Sequence, residues 1–242
     1  MKPNGKKILV IGAGNGIGRG VALSLRQAGY YVIGTDLKHN SMDGVVDEAI
    51  VSDFFSSEAR ANLLKRLLHG VPLAGLVCGP YPSHDKRPLR EMTWTELGSQ
   101  IEGILGAPVD LARLFLLNCL QTSGEQTITF IGSEMGGCGM LRSRSIAYDA
   151  SKAGLIQATQ VLARECVEGG LNVRVNLVAP GATDTPGERL HASETALKES
   201  WRRLPAGRPA NVLEIGQAVR FVIENQMMRG ATLVVNGGEH LI

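Results

Sequence analysis

Short apolar runs alternate with longer amphipathic stretches along this chain. The apolar runs are bounded by glycine, proline or polar residues, which is typical of buried β-strands. They predict strands at residues 7–11, 31–35, 49–51, 74–78, 127–131, 172–178 and 232–235. The longer stretches carry apolar residues at helical spacing and predict helices at residues 17–28, 57–68, 97–120, 146–168 and 212–224.

This alternation of strands and helices predicts the fold class. Parallel strands need crossover connections, and helices in those connections cover both faces of the sheet. The chain is therefore predicted to be α/β, with a doubly wound (Rossmann) parallel sheet of about seven strands and helices on both faces. In such folds, ligands bind at the carboxyl ends of the strands.

Four glycines follow the first predicted strand, in the stretch VIGAGNGIG. Their spacing does not fit the common G-x-G-x-x-G dinucleotide fingerprint, but it fits G-x-x-x-G-x-G with Gly12, Gly16 and Gly18. The helix that follows has free N–H groups at its start, which suit a phosphate. The stretch indicates a phosphate-binding turn, although a tight turn without a ligand has the same pattern.

Asp36 ends the second predicted strand, 20 residues beyond Gly16. A carboxylate at this place can accept hydrogen bonds from the adenosine ribose of NAD, and it repels the 2′-phosphate of NADP. The neighbouring Leu37 is uncharged, while Arg19 and Lys38 are near in sequence. We predict NAD as the cofactor, with NADP less favoured; a strand-end turn residue is the alternative interpretation of Asp36.

Composition adds few constraints on function. The chain has 242 residues, of which 44% are hydrophobic, and a formal net charge of +2. The length suffices for one large core, and the charge gives no reason to expect a nucleic-acid or membrane partner. The N-terminus MKPNGKK precedes only a short apolar strand, and no apolar run approaches a membrane span. We therefore expect a cytoplasmic protein.

The cysteines and histidines show no spacing typical of a metal site. Cys78, Cys119, Cys138 and Cys166 are scattered without a C-x-x-C motif, so we expect buried free thiols. The five histidines form no H-x-x-x-H or H-E-x-x-H pattern. No metal is predicted.

A candidate catalytic pair stands at the start of the helix predicted for residues 146–168. Tyr148 and Lys152 are four residues apart, so one helical turn puts them on the same face. A tyrosine with a pKa of ~10 is a poor acid/base at neutral pH unless an ammonium group stabilises its phenolate. Ser133, after the strand predicted for residues 127–131, could hold a substrate oxygen beside them. Taken singly, each of these residues could equally be a solvated helix residue or a turn residue.

These motifs together resemble the short-chain dehydrogenase/reductase family, in its branch of single-domain enzymes of this length. The resemblance covers nearly the whole chain. It rests on the glycine motif, the serine, the Y-x-x-x-K motif with its inner serine, the stretch RVNLVAPGATDT and the ending GATLVVNGG: Gly12, Gly16, Gly18, Ser133, Tyr148, Ser151, Lys152, Asn176, Pro180, Gly181 and Thr185. In addition, Asp53 stands where family members place an acidic residue on the adenine.

The resemblance implies hydride transfer between a nicotinamide and a secondary alcohol or ketone. Tyr148 would be the acid/base, Lys152 would lower its pKa and bind the nicotinamide ribose, and Ser133 would orient the substrate oxygen. The implied cofactor-binding residues are Gly12, Asn15, Gly16, Ile17, Gly18, Asp36, Leu37, Asp53, Cys78, Gly79, Tyr148, Lys152, Pro180, Gly181, Thr183 and Thr185. Residues 1–242 would form one dinucleotide-binding and catalytic domain, assembled as a homotetramer or homodimer through the helices at 97–120 and 146–168.

Three positions depart from the family pattern. Ile11 stands in place of the first threonine, and CGPY at residues 78–81 replaces N-N-A-G. The asparagine that supports a proton-relay water in the family is replaced by Gly103, so either a water or Glu102 would have to substitute for it.

The stretch at residues 184–209 resembles the family's lid over the substrate. Five arginines suit an anionic substrate but are equally typical of a solvated surface: Arg142, Arg144, Arg189, Arg202 and Arg203. Neither the substrate nor the direction of the reaction follows from the sequence. A non-catalytic dinucleotide sensor on the same fold is the alternative function. A longer related family of epimerases and dehydratases needs a larger substrate domain than this chain can hold.

Overall fold

The computed structural model describes residues 5–68, 72–79, 87–120, 124–134, 145–190 and 193–241. All seven predicted strands are present and form one parallel sheet in the order β3-β2-β1-β4-β5-β6-β7. The strands are β1 (Lys7–Ile11), β2 (Tyr31–Asp36), β3 (Glu48–Val51), β4 (Leu73–Cys78), β5 (Gln126–Ile131), β6 (Val173–Pro180) and β7 (Thr232–Val235).

Helices cover both faces of this sheet, which confirms the predicted doubly wound fold. They are α1 (Gly16–Gln27), α2 (Ser57–Leu68), α3 (Trp94–Ile101), α4 (Ala107–Cys119), α5 (Ile146–Glu168), α6 (Pro186–Arg189), α7 (Glu194–Arg202) and α8 (Val212–Glu224). Within the ranges given above, no helix is both long enough and apolar enough to cross a membrane.

The strand order places a crevice at the carboxyl end of β1. β1 pairs with β2 on one side and β4 on the other, with Ile11 opposite Thr35 and Val10 opposite Val77. The connections therefore leave β1 in opposite directions, and such a switch point is where doubly wound sheets bind ligands.

The helices α1 and α8 pack closely on one face of the sheet. A Cβ on Gly20 would overlap the carbonyl oxygen of Val212, and a Cβ on Gly216 would overlap that of Gly20. Apolar side chains of both helices, including Val21 and Val219, share a buried cluster with β1. The glycines at the crossing thus let the two helices approach closely, and α8 packs on α1, the helix that follows the glycine turn.

The helix predicted for residues 97–120 is divided in the structure. α3 begins earlier, at Trp94, because Thr93 and Glu96 form a capping box that satisfies the first free N–H groups. A π-helical turn, Glu102–Gly106, separates α3 from α4. Such turns often mark functional sites.

The stretch predicted as a lid holds two short helices in the part that the structure describes. Thr185 caps α6 by accepting a hydrogen bond from Glu188 N, and Ser193 caps α7 by accepting one from Ala196 N. Whether this stretch closes over a substrate stays a prediction.

Candidate active site

A cleft of about 340 Å³ opens at the carboxyl end of β1. Its walls come from the glycine turn, the ends of β2, β4 and β5, and the start of the lid stretch. The predicted cofactor residues among its lining are Gly12, Asn15, Gly16, Ile17, Gly18, Asp36, Leu37, Gly79 and Thr185. The structure thus gathers more than half of the predicted cofactor set around one cavity.

The glycine turn has the geometry that a phosphate site requires. Gly12 and Gly16 have φ angles of 74° and 49°, a region that side chains rarely adopt. The Asn15 side chain accepts a hydrogen bond from Gly16 N and so caps α1. The turn and the helix start it positions fit the pyrophosphate of a dinucleotide.

Asp36 lies at the cleft with its carboxylate held in place. Its Oδ2 accepts a hydrogen bond from Gly14 N at 3.0 Å, and its Oδ1 accepts one from Leu37 N at 2.7 Å. A Cβ on Gly14 would overlap Ser41 Oγ, so this close approach requires glycine. Arg19 donates to the backbone oxygen of Ser41 at 3.0 Å. The carboxylate keeps lone pairs for further donors, which fits a ribose diol.

The loop after β3 forms another wall of the cleft. Ser52, Phe54 and Phe55 belong to its lining, whereas Asp53 does not. Instead, the Asp53 carboxylate accepts a hydrogen bond from Phe55 N at 3.0 Å. In this structure Asp53 therefore acts as a turn residue, and a contact with adenine stays a prediction.

The three predicted catalytic residues, Ser133, Tyr148 and Lys152, are not among the lining of this cleft. Ser133 is buried just beyond the end of β5, and both other residues stand on the first turns of α5. Lys152 Nζ donates to the backbone oxygen of Ile131 at 2.9 Å and lies 5.7 Å from the centroid of the Tyr148 ring. Lys152 thus lies close to the Tyr148 ring and is bonded to the end of the strand that leads to Ser133, at the carboxyl edge of the sheet.

Burial changes the chemistry of Lys152. Its amine is shielded from solvent, which lowers its pKa to about 8, while the neighbouring Cys78 opposes this shift. Burial also raises the pKa of the Cys78 thiol, against the charge of Lys152. At neutral pH the lysine is still mainly an ammonium ion, so it can stabilise a phenolate beside it.

The segment after β6 is held to neighbouring strands by its backbone and by polar side chains. Gly181 N bonds to the backbone oxygen of Val235, and Thr183 Oγ1 donates to Gly181 O. Pro180, Gly181 and Thr183 are not among the cleft's lining, whereas Thr185 is. The Asn176 side chain is bound to the backbone: its Nδ2 donates to Met228 O, and its Oδ1 accepts from Ala231 N. It therefore has a structural role in the fold.

The three departures from the family pattern have different consequences. Ile11 lines the cleft with an apolar side chain. Cys78 is fully buried rather than part of the lining, and Pro80 and Tyr81 lie outside the described residues. Glu102 begins the π turn, and its carboxylate lies 3.4 Å from Arg60 Nη2. This ion pair speaks against Glu102 as the substitute for the missing asparagine.

The lid arginines that the structure describes have carboxylate partners at two positions. Arg189 pairs with Asp184 and Arg203 with Glu199, each at 2.7 Å. These pairs favour the interpretation as surface charges. Arg142 and Arg144 lie outside the described residues.

Cys78, Cys119 and Cys166 are buried free thiols, as predicted, and Cys138 lies outside the described residues. Over the described ranges, no group of three or more histidine, cysteine or acidic side chains is placed to hold a metal ion.

Two buried charged residues near the site were not singled out in the sequence. Arg60 donates to the backbone oxygens of Phe54 and Phe55, in the wall of the cleft. Glu134, directly after Ser133, accepts a hydrogen bond from Asn236 at 2.6 Å. Their partners lie far away in sequence or are backbone atoms, so no local spacing signals them.

Comparison with known proteins agrees with this geometry. The family model described as enoyl-(acyl carrier protein) reductase matches residues 12–240. The 3-oxoacyl-(acyl-carrier-protein) reductase FabG of Escherichia coli strain K12 is 30% identical over 258 residues, covering 100% of both chains. L-xylulose reductase of Caenorhabditis elegans is 31% identical and covers 96% of this chain and 95% of its own.

Solved structures share the fold. A putative NAD(P)-dependent gluconate 5-dehydrogenase from Beutenbergia cavernae, with bound NADP, matches with a TM-score of 0.87, 28% identity and coverage of 100% of this chain and 99% of its own. The RhlG/NADP active-site complex of Pseudomonas aeruginosa matches with a TM-score of 0.88 and 24% identity, covering 99% and 98% of the two chains. With the residue motifs and the sheet topology, these matches confirm the resemblance: the chain belongs to the short-chain dehydrogenase/reductase family of NAD(P)-dependent oxidoreductases.

Proposed function

We propose that this protein transfers a hydride between NAD and a secondary alcohol or ketone, with Tyr148 as the acid/base. The observation that carries the proposal is the position of Lys152, whose Nζ lies 5.7 Å from the Tyr148 ring and donates to Ile131 O, two residues before Ser133. The cleft lined by the glycine turn and by Asp36 supports it. The alternative of a non-catalytic sensor finds no support in the described residues or in the relatives, which are named as reductases and dehydrogenases.

Each of the three side chains has a task in this reaction. When bound, the nicotinamide supplies a hydride to a ketone carbon or takes one from a carbinol carbon. In the reducing direction, Tyr148 donates its phenolic proton to the substrate oxygen, and the Ser133 hydroxyl donates a hydrogen bond to that oxygen. The Lys152 ammonium stabilises the phenolate that remains. Oxidation reverses each transfer.

Replacing Tyr148 tests the proposal. Tyr148→Phe removes the exchangeable proton and keeps the ring, so turnover should fall by at least ~10²-fold while the affinity for NADH stays the same. Tyr31→Phe is the matched control, because Lys7 Nζ likewise lies over the Tyr31 ring, at 5.3 Å, far from the cleft. Rates would be measured by nicotinamide absorbance on a panel of ketones and secondary alcohols. A Tyr148→Phe enzyme with most of its activity would contradict the proposal.

The preference for NAD is a further part of the proposal. It is supported by the position of the Asp36 carboxylate at the cleft and by the uncharged, exposed Leu37 next to it. A 2′-phosphate at this place would meet a fixed negative charge. The solved relatives with NADP show that the family also takes the other cofactor. Equal or better kcat/KM with NADP would refute this preference.

We also propose that the protein forms a homotetramer or homodimer, as the sequence predicts. Apolar side chains on the outer surfaces of α4 and α5 support this, among them Leu117 and Val161. The cytoplasmic location and the closure of residues 184–209 over a substrate stay predictions.

A further inference from the structure

The residues after β7 contact two segments of the proposed active site. We call residues 236–241 the C-terminal turn. Asn236 Nδ2 donates to Glu134 Oε2 at 2.6 Å, directly beyond Ser133. Glu239 Oε2 accepts a hydrogen bond from Ala182 N at 2.8 Å, in the segment that follows β6. One short turn thus bonds both the segment that carries the serine and the segment predicted to hold the nicotinamide.

We propose that Glu134 and Glu239 are positioning residues, which use the C-terminal turn to hold Ser133 and the residue 180–185 segment at a fixed separation. The inference rests on the proposed function. Neither carboxylate is proposed to touch the substrate. Their role is to keep the Ser133 hydroxyl, which would orient the substrate oxygen, at the right distance from the nicotinamide.

Close packing leaves the C-terminal turn little freedom to move. A Cβ on Gly181 would lie 2.5 Å from Asn236 Cβ and 2.8 Å from Glu239 Oε2. On the other side, a Cβ on Gly237 would lie 2.8 Å from Ala206 Cβ, at the end of the stretch predicted as a lid. The C-terminal turn therefore packs between the segment that contains Gly181 and the segment that contains Ala206, so a shift of either segment would have to move the turn.

The Asn236 side chain is held by hydrogen bonds on both of its amide atoms. Its Oδ1 accepts from Gly238 N at 3.1 Å, which leaves Nδ2 to donate to Glu134. His240 Nδ1 lies 2.8 Å from Nδ2. Glu134 itself is buried, and a buried carboxylate is costly without strong donors. A charge-assisted bond of this kind gives a rigid connection rather than a loose surface contact.

The inference predicts an effect on the nicotinamide half of the cofactor alone. ADP-ribose occupies the adenine and pyrophosphate region but carries no nicotinamide, so it serves as the reference ligand. Glu134→Ala and Glu239→Ala should each weaken NADH binding by about tenfold, as expected for losing a hydrogen bond to a charged group. Their affinity for ADP-ribose should stay within about twofold of the wild type, and kcat should fall because the reacting atoms lose their alignment.

Conservative and distant variants serve as controls. Glu134→Gln and Glu239→Gln keep an oxygen that can accept the same hydrogen bonds, so they should restore most of the NADH affinity. Asp47→Ala removes a carboxylate that accepts a hydrogen bond from Val32 N at 2.8 Å, away from the site. It should lower the melting temperature without changing the ratio of NADH to ADP-ribose affinity.

Titration calorimetry with both ligands measures this ratio without relying on turnover. A ratio that stays at the wild-type value in folded Glu134→Ala and Glu239→Ala would overturn the positioning role, as would an equal change in Asp47→Ala. If Glu134→Ala does not fold, the half-buried Glu239 gives the same test. A wild type that binds NADH but reduces no ketone would count against the proposed function, while the affinity ratio still tests the positioning role.

Discussion

Burial of Lys152, the proposed partner of Tyr148, has a cost in stability. Its pKa falls from 10.5 in an exposed lysine to about 8 because water is excluded from the amine. Between these values the unfolded chain binds more protons than the folded protein, so the free energy of unfolding rises with pH. Below pH 8 both states are protonated, and the cost of burying the charge is present in full.

Comparing the wild type with Lys152→Met, which has no titrating group here, isolates this effect. Between pH 8 and 10.5, the unfolding free energy of the wild type should rise relative to the variant by up to ~1.4 kcal/mol per pH unit. Denaturant titrations at several pH values give the measurement, and Lys198→Met, which removes an exposed lysine, is the control. A constant difference over this range would mean that the Lys152 amine is solvated.

The charge of Asp36 can be removed without losing its backbone contacts. Asp36→Asn keeps an oxygen that can accept from Gly14 N, so the turn should stay intact while the repulsion of a 2′-phosphate disappears. We expect kcat/KM with NADP to rise by about tenfold or more, since opposed like charges cost several kcal/mol. Asp53→Asn, the same change in the next loop, should leave the cofactor ratio as it was. If both variants behave alike, Asp36 does not set the preference.

Side chains whose partners are close in sequence were predictable, and those with distant partners were not. Gly12, Gly16, Tyr148 and Lys152 form fixed spacings on a single turn or helix, and such spacings can be read directly from the sequence. The bond between Glu134 and Asn236 joins residues 102 positions apart and depends on how the sheet brings β5 and β7 together. No periodicity encodes that contact.

Arg60, on α2, ties the wall of the cleft to the π turn and to α4. Besides the Phe54 and Phe55 oxygens, it bonds Asp110 Oδ2 at 2.9 Å and Glu102 at 3.4 Å, and its side chain is almost wholly buried. One side chain therefore connects the loop after β3 with the π turn and with α4.

Arg60→Met should destabilise the protein by about 2–4 kcal/mol, because several buried acceptors lose their donor at once. Arg113→Met is the matched control, since Arg113 pairs with the same Asp110 from the surface. This change should lower the free energy of unfolding by less than about 1 kcal/mol. Denaturant melts of both variants make the comparison. Similar decreases in the free energy of unfolding of the two variants would show that the buried contacts of Arg60 contribute little to stability.

Apolar periodicity predicted helices well where they cover the sheet and poorly where they do not. α5 and α8 have the predicted bounds because their apolar faces pack on strands. α7 has only one buried residue, Leu197, so its pattern was too polar to stand out. The capping residues Thr93, Thr185 and Ser193 were the available signals for α3, α6 and α7.

Assembly would cover apolar surface that the single chain leaves open. Leu117 and Leu120 near the end of α4, and Val161 and Val167 on α5, are each about half exposed or more, whereas Leu111 and Phe115 on α4 are buried. A helix that is apolar on more than one face usually has partners on both sides.

Light scattering at micromolar concentration should therefore give the mass of a dimer or tetramer. Val161→Glu should yield smaller species, because a charge in an apolar interface loses its water. Val51→Glu, at an exposed position on the edge strand β3, is the control and should leave the mass unchanged. A monomeric wild type would refute the predicted assembly.

The crossing of α1 and α8 at Gly20 and Gly216 also bears on the order of folding. The glycine turn and α1 lie far in sequence from the helix that packs on α1. Until α8 docks, Val21 and its neighbours have no cover on that side, and contacts between such distant segments form slowly. We therefore expect the glycine turn to become rigid late in folding, so that a chain cut before α8 would have the complete glycine motif and no firm phosphate site.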